Sequence, residues 1–216
     1  MSAIEEVGGW AVLLGKVSSG TDLSLNEARA AMRTVLEGEA TSAQIAALVM
    51  GLRTKGESAV ELEGMLAEVR NASAQVDLPT EIAKRTIDIV GTGGDKSHSV
   101  NISTMAAFVV AGAGVLVCKH GNRAASSQCG TADVLEALGV RIDLDPADVA
   151  RCVVEVGMGF CFAQKFHPAF RHAGPTRKEI GVPTAFNLLG PMANPANVSF
   201  MVVGVGDPRA AEKMAR

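Results

Sequence analysis

Apolar residues recur at helical spacing throughout the first part of the chain. Positions three and four residues apart hold leucine, isoleucine, valine, alanine or methionine, which is typical of one buried helix face. Ser24 followed by Glu27 has the pattern of a capping box, and Thr41 or Ser42 can cap a later helix. The pattern predicts helices over Leu25–Leu36, Ile45–Leu52 and Leu62–Val69, with a fourth around Ile4–Leu14.

After residue 80 the apolar residues form short runs of strand length, separated by polar or glycine-rich loops. Helical stretches lie between them, at Ala132–Leu138 and from Asp145-Pro146 to Val156. Alternating strands and helices predict a mainly parallel sheet with helices on both faces, and such sheets bind ligands at the carboxyl ends of their strands. The predicted strands are Thr86–Val90, Val115–Cys118 and Phe200–Val205.

The change of pattern coincides with a change of composition. All four histidines and seven of the eight prolines follow residue 79, and Asp77-Leu78-Pro79 has the composition of a linker. We therefore predict an α/β protein with a small helical domain over residues 1–80 and a larger, mainly parallel α/β domain over residues 81–216. The helical part offers no reactive group of side chains, and we interpret it as a packing or oligomerisation unit.

Length and charge exclude several classes of protein. With 216 residues, 48% of them hydrophobic, the chain can build a sizeable core. A net charge of −3 without any basic block lacks the field that attracts nucleic acid or anionic membranes, and Met105–Cys118 is shorter than the roughly 20 residues of a membrane span. The four cysteines show no C-x-x-C spacing and the first residues are acidic, so we expect a reduced, cytoplasmic protein.

A glycine-rich turn follows the first predicted strand. Gly91-Thr92-Gly93-Gly94-Asp95 precedes a helix that begins at Asn101-Ile102-Ser103-Thr104. Glycines let the backbone approach a ligand, and the N–H groups of such a turn and helix start suit phosphate or pyrophosphate. The G-K-[ST] ending and the G-x-G-x-x-G pattern are missing, which counts against nucleotide hydrolysis and dinucleotide binding. A plain strand-to-helix turn is the alternative.

A second polar loop follows the second predicted strand. Lys119-His120-Gly121-Asn122-Arg123 leads into Ala124-Ala125-Ser126-Ser127 and brings cations, an amide and hydroxyls together at the expected ligand edge. This mixture suits an anion with neighbouring hydroxyls, with Lys119 and Arg123 neutralising phosphate. A solvated surface turn is the alternative.

The third polar region contains no recognisable catalytic arrangement. His167 and His172 are five residues apart, which is not the spacing of a zinc-binding helix. The G-x-S-x-G pattern of a nucleophile elbow is also missing. We therefore expect neither a histidine metal site nor a serine nucleophile.

Taken together, these segments resemble one family. Six motifs occur in the order and spacing of the anthranilate phosphoribosyltransferases, and the resemblance covers essentially the whole chain. The motifs are GTGGD, NIST, KHGNRAASS, HPAFRH, RKEIG and FNLLGPMANP. It implies the fold of the nucleoside phosphorylase and phosphoribosyltransferase class, which includes thymidine phosphorylase. It also implies a homodimer formed through the helical domain.

The activity implied by the resemblance is transfer of a phosphoribosyl group from phosphoribosyl pyrophosphate to anthranilate, with Mg²⁺, in tryptophan biosynthesis. No catalytic acid, base or nucleophile is expected, because positioning and electrostatics suffice for an amine nucleophile. Gly91, Asn122 and Arg177 match the anthranilate-binding positions, and Ser103 matches a magnesium ligand. The donor positions are Gly91, Gly94, Asp95, Ser99, Asn101, Ile102, Ser103, Thr104, Lys119, His120, Gly121, Asn122, Arg123, Ala124, Ala125, Ser126, Ser127 and Thr131.

Some features depart from the family pattern. Lys96 stands where a glycine is frequent, and Gln164 where a proline is frequent. Family members continue past residue 216 into a part with an acidic Asp-Glu pair that binds magnesium, so we expect the α/β domain to be incomplete here. Two alternatives remain open: a pyrimidine-nucleoside phosphorylase of the same fold, and a non-catalytic relative that binds phosphates or nucleic acid.

Overall fold

A computed structural model describes residues 2–93, 100–124 and 129–216. The chain divides into two compact units. The helical unit comprises Met1–Ser73, Pro168–Ala193 and Pro208–Arg216, and the sheet unit comprises Ala74–His167 and Asn194–Asp207. The predicted domain boundary at residue 80 stays a prediction.

Helices and strands are numbered in chain order over the described residues. The helices are α1 (Ala3–Glu6), α2 (Gly9–Ser18), α3 (Leu25–Leu36), α4 (Ser42–Lys55), α5 (Ala59–Asn71), α6 (Thr80–Ala83), α7 (Ile102–Gly112), α8 (Thr131–Ala137), α9 (Pro146–Val156), α10 (Ala163–Phe166), α11 (Gly174–Ile180), α12 (Ala185–Met192) and α13 (Pro208–Ala215). A 3₁₀ turn spans Pro168–His172. The strands are β1 (Thr86–Gly91), β2 (Leu116–Gly121), β3 (Met158–Phe162) and β4 (Phe200–Gly204).

Local sequence signals explain most of the helical unit. The predicted capping box is present, since the Glu27 carboxylate accepts from the Ser24 backbone N–H over 2.9 Å and the Glu27 N–H donates to the Ser24 hydroxyl over 3.4 Å. The stretch around Ile4–Leu14 is helical as predicted but not one continuous helix, because Gly8 adopts a left-handed φ of 94° and separates α1 from α2. The apolar stripes of α3, α4 and α5 pack into one core that includes Met32, Leu48, Leu52, Leu62 and Met65.

One carboxylate is fully buried inside this helical unit. Glu61 accepts from the backbone N–H groups of Leu23 and Ser58, each over 2.8 Å, and from the Lys55 ammonium over 2.8 Å. The Lys55 ammonium also contacts the Asp22 carboxylate at 2.5 Å. These bonds compensate the loss of hydration of Glu61 and tie the start of α5 to the segment before α3.

The sheet unit confirms the predicted parallel sheet. Its strands are ordered β3-β2-β1-β4 and all neighbours are parallel. Ile89 and Val117 pack against Ala107 of α7 on one face, whereas Cys118 and Cys161 pack against Val153 of α9 on the other. Strand β3 was not predicted, because Met158–Phe162 contains a glycine at its second position and follows α9 with only Gly157 between them.

The strand order reverses at β1. From β1 the chain moves to β2 and β3 on one side, and β4 is added on the other side of β1. In open parallel sheets the crevice at such a reversal, outside the carboxyl ends of the strands, is the usual place for a ligand. In the described part of the chain, no helix combines the length and apolar character that crossing a membrane requires.

Candidate functional site

The glycine turn after β1 lies at the reversal of the strand order. Gly91 is in register with Gly204 of β4, and a Cβ atom on Gly91 would lie 3.3 Å from the Gly204 carbonyl oxygen. The Thr92 N–H donates to that carbonyl over 2.9 Å, and the Thr92 hydroxyl accepts from the Gly206 N–H over 3.0 Å. Small residues therefore let the two strand ends approach each other closely at the expected ligand edge.

The first turn of α7 brings several predicted donor residues to the same edge. The Asn101 carbonyl accepts from the N–H groups of Thr104 and Met105, each over 3.0 Å, and starts the helix. The buried Thr104 hydroxyl lies 3.3 Å from the Thr131 hydroxyl at the start of α8. The starts of α7 and α8 therefore lie together beside the ends of β1 and β2. The side chain of Ile102, another predicted donor residue, is exposed.

Lys119 is buried at the end of β2, with 1% of its surface exposed. Its ammonium donates to the Ile89 carbonyl of β1 and, over 3.3 Å, to the Ser103 hydroxyl of α7. Burial lowers the pKa of the Lys119 ammonium, and the charge of Asp88 opposes that shift. The ammonium therefore bridges β1 and α7, and neutralisation of a phosphate by it stays a prediction.

Arg123 is held by carboxylates that sequence reasoning did not single out. Its guanidinium contacts Asp133 at 2.9 Å and Glu136 at 2.8 Å, both on α8. Asp133 also accepts from the N–H groups of Ala124 and Gly130, over 3.0 and 2.8 Å. These two backbone bonds, together with Arg123, hold the pKa of Asp133 below its ordinary value. Asp133 is therefore bonded to the backbone of both Ala124 and Gly130. Contact of Arg123 with phosphate stays a prediction.

The residues between Lys119 and Arg123 are packed closely. The His120 ring is buried and lies edge-on to the His167 ring, with ring centroids 5.0 Å apart. Gly121 has little room for a side chain, because a Cβ atom would lie 3.0 Å from both Phe160 and Thr131. The exposed Asn122 uses its side-chain oxygen to accept from the Arg123 N–H over 2.8 Å. The segment Lys119–Arg123 is therefore held by contacts of its own side chains and by the start of α8.

Two further buried polar residues support this loop, and sequence reasoning missed both. The Asp88 carboxylate of β1 accepts from the His120 N–H over 3.1 Å and from the Asn194 side-chain amide over 2.8 Å. Burial raises the pKa of Asp88 to about 6, against the opposing effects of Asn194 and Lys119. A single charged residue within the apolar run Thr86–Val90 was the available signal, because a charge at a buried strand position requires partners.

Arg177 belongs to the helical unit, whereas Gly91 and Asn122 belong to the sheet unit. Its guanidinium lies over the Phe186 ring, 4.8 Å from the ring centroid. Burial lowers the pKa of the Arg177 guanidinium, which has no hydrogen bond or ion pair to the described residues. A half-buried cation without a carboxylate partner in the described part of the chain suits an anionic ligand.

Family comparison identifies the two parts of the chain. Residues 83–216 match the family described as glycosyl transferase family, a/b domain, and residues 11–73 match its helical bundle domain. The chain belongs to the glycosyl transferase family. The matched ranges agree with the predicted order of a helical part followed by an α/β part.

Individual members of this glycosyl transferase family agree in name. An anthranilate phosphoribosyltransferase of Saccharopolyspora erythraea is 59% identical over 208 residues, which is 96% of this chain. The crystal structure of the Thermus thermophilus anthranilate phosphoribosyltransferase has a TM-score of 0.88 and 44% identity, covering 94% of this chain and 61% of that one. The Saccharomyces cerevisiae enzyme in complex with PRPP and Mg has a TM-score of 0.88 and 28% identity, covering 100% and 62%. The predicted resemblance is confirmed.

The chain spans only 58% of the length of the Saccharopolyspora relative. Several predicted donor residues lie outside the residues that the structure describes, and their predicted roles stay predictions. They are Gly94, Asp95, Ser99, Ala125, Ser126 and Ser127.

The described residues suit a magnesium ion that takes most of its ligands from a bound phosphorylated molecule and from water. Within residues 2–93, 100–124 and 129–216, no group of three or more histidine, cysteine, aspartate or glutamate side chains could hold a metal. Ser103 offers one hydroxyl oxygen, 3.3 Å from the Lys119 ammonium. Mg²⁺ prefers oxygen ligands and commonly takes most of them from water and substrate phosphates. The donor set therefore suits a magnesium ion carried by phosphate oxygens, with Ser103 as a minor ligand.

Proposed function

We propose that the protein containing this chain is an anthranilate phosphoribosyltransferase of tryptophan biosynthesis. The observation that carries the proposal is the meeting of three features at the carboxyl ends of β1 and β2. They are the Gly91 turn, the helix start at Ser103-Thr104, and the end of β2 with the following residue, Lys119–Asn122. The 59% identity to a relative of that name supports the same activity.

In this proposal the sheet unit binds phosphoribosyl pyrophosphate. Glycine at position 91 lets β1 and β4 approach closely beside the proposed site, and the hydroxyls of Ser103, Thr104 and Thr131 supply hydrogen bonds at the same edge. The ammonium of Lys119 adds positive charge from within the site. Fixed donors in a site with little water stabilise the charge that develops on a leaving pyrophosphate.

Arg177 is our candidate for the carboxylate of anthranilate. A guanidinium can donate two parallel hydrogen bonds to a carboxylate, and this one lacks a competing acidic partner among the described residues. The Phe186 ring lies against the guanidinium, 4.8 Å from it, and adds a cation–π contact to its position. Gly91 and Asn122 complete the proposed set of acceptor contacts.

The chemistry requires little acid–base assistance from the protein. The bond between the ribosyl carbon C1 and the pyrophosphate oxygen breaks, and pyrophosphate leaves with the electron pair. The anthranilate nitrogen forms the new bond to that carbon and then loses a proton to solvent. The aromatic amine is neutral at physiological pH, so orientation and electrostatic stabilisation provide the catalysis.

Magnesium and assembly complete the proposal. When bound, Mg²⁺ neutralises part of the pyrophosphate charge and makes it a better leaving group. We propose that it enters with the donor, that Ser103 contributes one oxygen, and that the protein acts as a cytoplasmic homodimer joined through its helical domain. Exposed Val12 and half-buried Trp10 of α2 offer apolar surface for such an interface. The mass of the native protein in solution tests the assembly.

The decisive experiment is an activity assay on the full-length natural protein. It is incubated with phosphoribosyl pyrophosphate, Mg²⁺ and anthranilate, and the loss of anthranilate fluorescence is followed. Parallel incubations with a pyrimidine nucleoside and phosphate test the phosphorylase alternative. Turnover of anthranilate alone supports the proposal, whereas an inactive but folded full-length protein, or turnover of the nucleoside alone, would contradict it.

A further inference from the structure

Strands β1 and β2 are paired only at their amino-terminal ends. Their register is limited to Thr86 with Leu116 and Ile87 with Val117. In contrast, β1 stays in register with β4 from Ile87–Phe200 to Gly91–Gly204, and β2 stays in register with β3 from Val117–Met158 to Gly121–Phe162. The backbone pairing of β1 with β2 therefore ends before the carboxyl ends of the strands, where the candidate site lies.

Opening a ladder inside a buried sheet leaves backbone groups that need other partners. Three such groups are hydrogen-bonded to side chains instead of to the neighbouring strand. The Cys118 carbonyl accepts from the Asn194 amide over 2.8 Å, and the His120 N–H donates to the Asp88 carboxylate over 3.1 Å. The Ile89 carbonyl accepts from the Lys119 ammonium. Side chains thus replace the missing backbone ladder at consecutive positions.

The three side chains are fully enclosed, and two of them, Asp88 and Asn194, are hydrogen-bonded to each other. Asp88 is 0% exposed, and Asn194 and Lys119 are each 1% exposed. Asn194 also donates to the Asp88 carboxylate over 2.8 Å, and its oxygen accepts from the Ala196 N–H over 2.8 Å. Every polar atom of the Asn194 side chain is therefore used, which fixes its position. Burial of a carboxylate, an amide and an ammonium lowers the stability of the folded protein unless their hydrogen bonds are formed.

We propose that Asp88, Asn194 and Lys119 form a polar clamp that holds the carboxyl ends of β1 and β2 at the spacing required by the phosphoribosyl donor. This inference rests on the proposed function. A backbone ladder holds paired strands about 4.8 Å apart. Beyond Ile87 no ladder pairs β1 with β2, so the bonds of these side chains determine how the two strands are held there. Asp88 lies on β1, the strand that ends at Gly91, and it accepts from the His120 N–H of β2, so the clamp contacts both strands next to the site. Asp88 and Asn194 are thus positioning residues.

The clamp is tested with Asn194→Ala, which removes two bridging donors, in the full-length natural protein. Val153→Ala is the matched control, because Val153 lies in the core on the same face of the sheet and is not hydrogen-bonded through its side chain. Asp88→Asn serves as a conservative variant that keeps the shape of the carboxylate. For each protein we would measure thermal stability, the KM for phosphoribosyl pyrophosphate, the kcat, and amide hydrogen exchange over residues 116–122.

We expect Asn194→Ala to raise the KM for the donor by about tenfold or more, the effect of losing a hydrogen bond to a charged group. Exchange should rise at residues 118–122. Asp88→Asn should change both quantities in the same direction, because its amide nitrogen cannot accept a hydrogen bond in place of a carboxylate oxygen. Val153→Ala should lower the melting temperature through a cavity while leaving the donor KM and this exchange unchanged. A structural role alone would instead make the two alanine variants behave alike.

The outcomes separate the clamp from the proposed function. If the parent protein is active and Asn194→Ala matches Val153→Ala in donor KM, the clamp is refuted and the function stands. If the parent is inactive, the proposed function fails, and hydrogen exchange alone decides on the clamp. Exchange that rises at residues 118–122 only in the clamp variants would then support it, and unchanged exchange would refute it.

Discussion

The Lys119 ammonium donates a hydrogen bond to the Ser103 hydroxyl over 3.3 Å. The two residues lie on β2 and α7, and each was predicted separately as a contact of the phosphoribosyl donor. Because they touch in the described structure, they form one polar unit in which the position of the hydroxyl depends on the ammonium. Their energetic contributions to ligand binding are therefore expected to be coupled.

A double-mutant cycle of Lys119→Met and Ser103→Ala measures this coupling. Each single variant should weaken binding of phosphoribosyl pyrophosphate, and the double variant should lose less than the sum. The expected coupling is about 0.5 to 3 kcal/mol, the range for residues in direct contact. Calorimetric titration of the full-length protein provides the dissociation constants, and strictly additive losses would contradict the coupling.

Arg177 should discriminate between the two substrates. We expect Arg177→Ala to raise the KM for anthranilate by about tenfold to 100-fold, because a charge-assisted hydrogen bond to the carboxylate is lost, with little change for the donor. Lys178→Ala is the control, since Lys178 is an exposed neighbour on the same helix α11. Steady-state kinetics with each substrate varied in turn gives both values. Equal increases in the two KM values would remove Arg177 from the acceptor site.

Glu61 should be required for the stability of the helical unit. Glu61→Ala leaves the Lys55 ammonium with only the exposed Asp22 carboxylate among its described acidic partners, and it leaves the N–H groups of Leu23 and Ser58 without their acceptor. Breaking a buried pair in this way costs about 3 to 5 kcal/mol. Urea denaturation should show that loss, whereas Glu63→Ala, at an exposed position of α5, should change the free energy of unfolding by less than about 0.5 kcal/mol. Similar small effects for both variants would contradict the role of the network.

Asp88 should make stability depend on pH in a defined direction. Burial raises its pKa from 3.8 to about 6, so between these values the folded protein binds more protons at this site than the unfolded chain. The contribution of Asp88 to the free energy of unfolding therefore falls as the pH rises through this range. Between about pH 4 and pH 7 the stability of Asp88→Asn relative to the parent should rise by about 2 to 3 kcal/mol.

Urea denaturation across this pH range gives the difference between the two proteins, in which the contributions of other titrating groups largely cancel. Asp77→Asn is the control, because Asp77 is an exposed carboxylate in the same unit. A difference between Asp88→Asn and the parent that stays constant from acid to neutral pH would show that the Asp88 carboxyl titrates alike in both states.

Much of the fold could be read from short stretches of sequence. The Ser24–Glu27 capping box, proline at the start of α9 and the apolar stripes of α3 to α5 act within one or two turns, so their effect is visible locally. Where local signals competed, prediction was less successful. Gly8 broke a helix that the apolar spacing extended, and β3 formed from a glycine-containing segment because the parallel partner β2 lies beside it.

The placement of charges could not be read in this way. Arg123 was predicted as a phosphate ligand from its loop, but its partners Asp133 and Glu136 lie on the next helix and hold it in the structure. Asp88 and Asn194 are 106 positions apart, and no local rule indicates that an amide after α12 reaches a carboxylate in β1. Electrostatic and hydrogen-bond partners are selected by proximity in space, and a single sequence reports that proximity only within a few residues.

The amino-acid sequence alone indicates the helical and strand periodicity, the caps, the glycine turn at Gly91 and the motifs that carry the family resemblance. These features depend on residue types at short spacing, which the chain displays directly. The folded chain shows in addition that the ladder between β1 and β2 ends after Ile87, and that Asp88, Asn194 and Lys119 bond the backbone groups beyond it. The physical reason is that buried backbone groups must be hydrogen-bonded, and which side chains satisfy them depends on how distant segments pack.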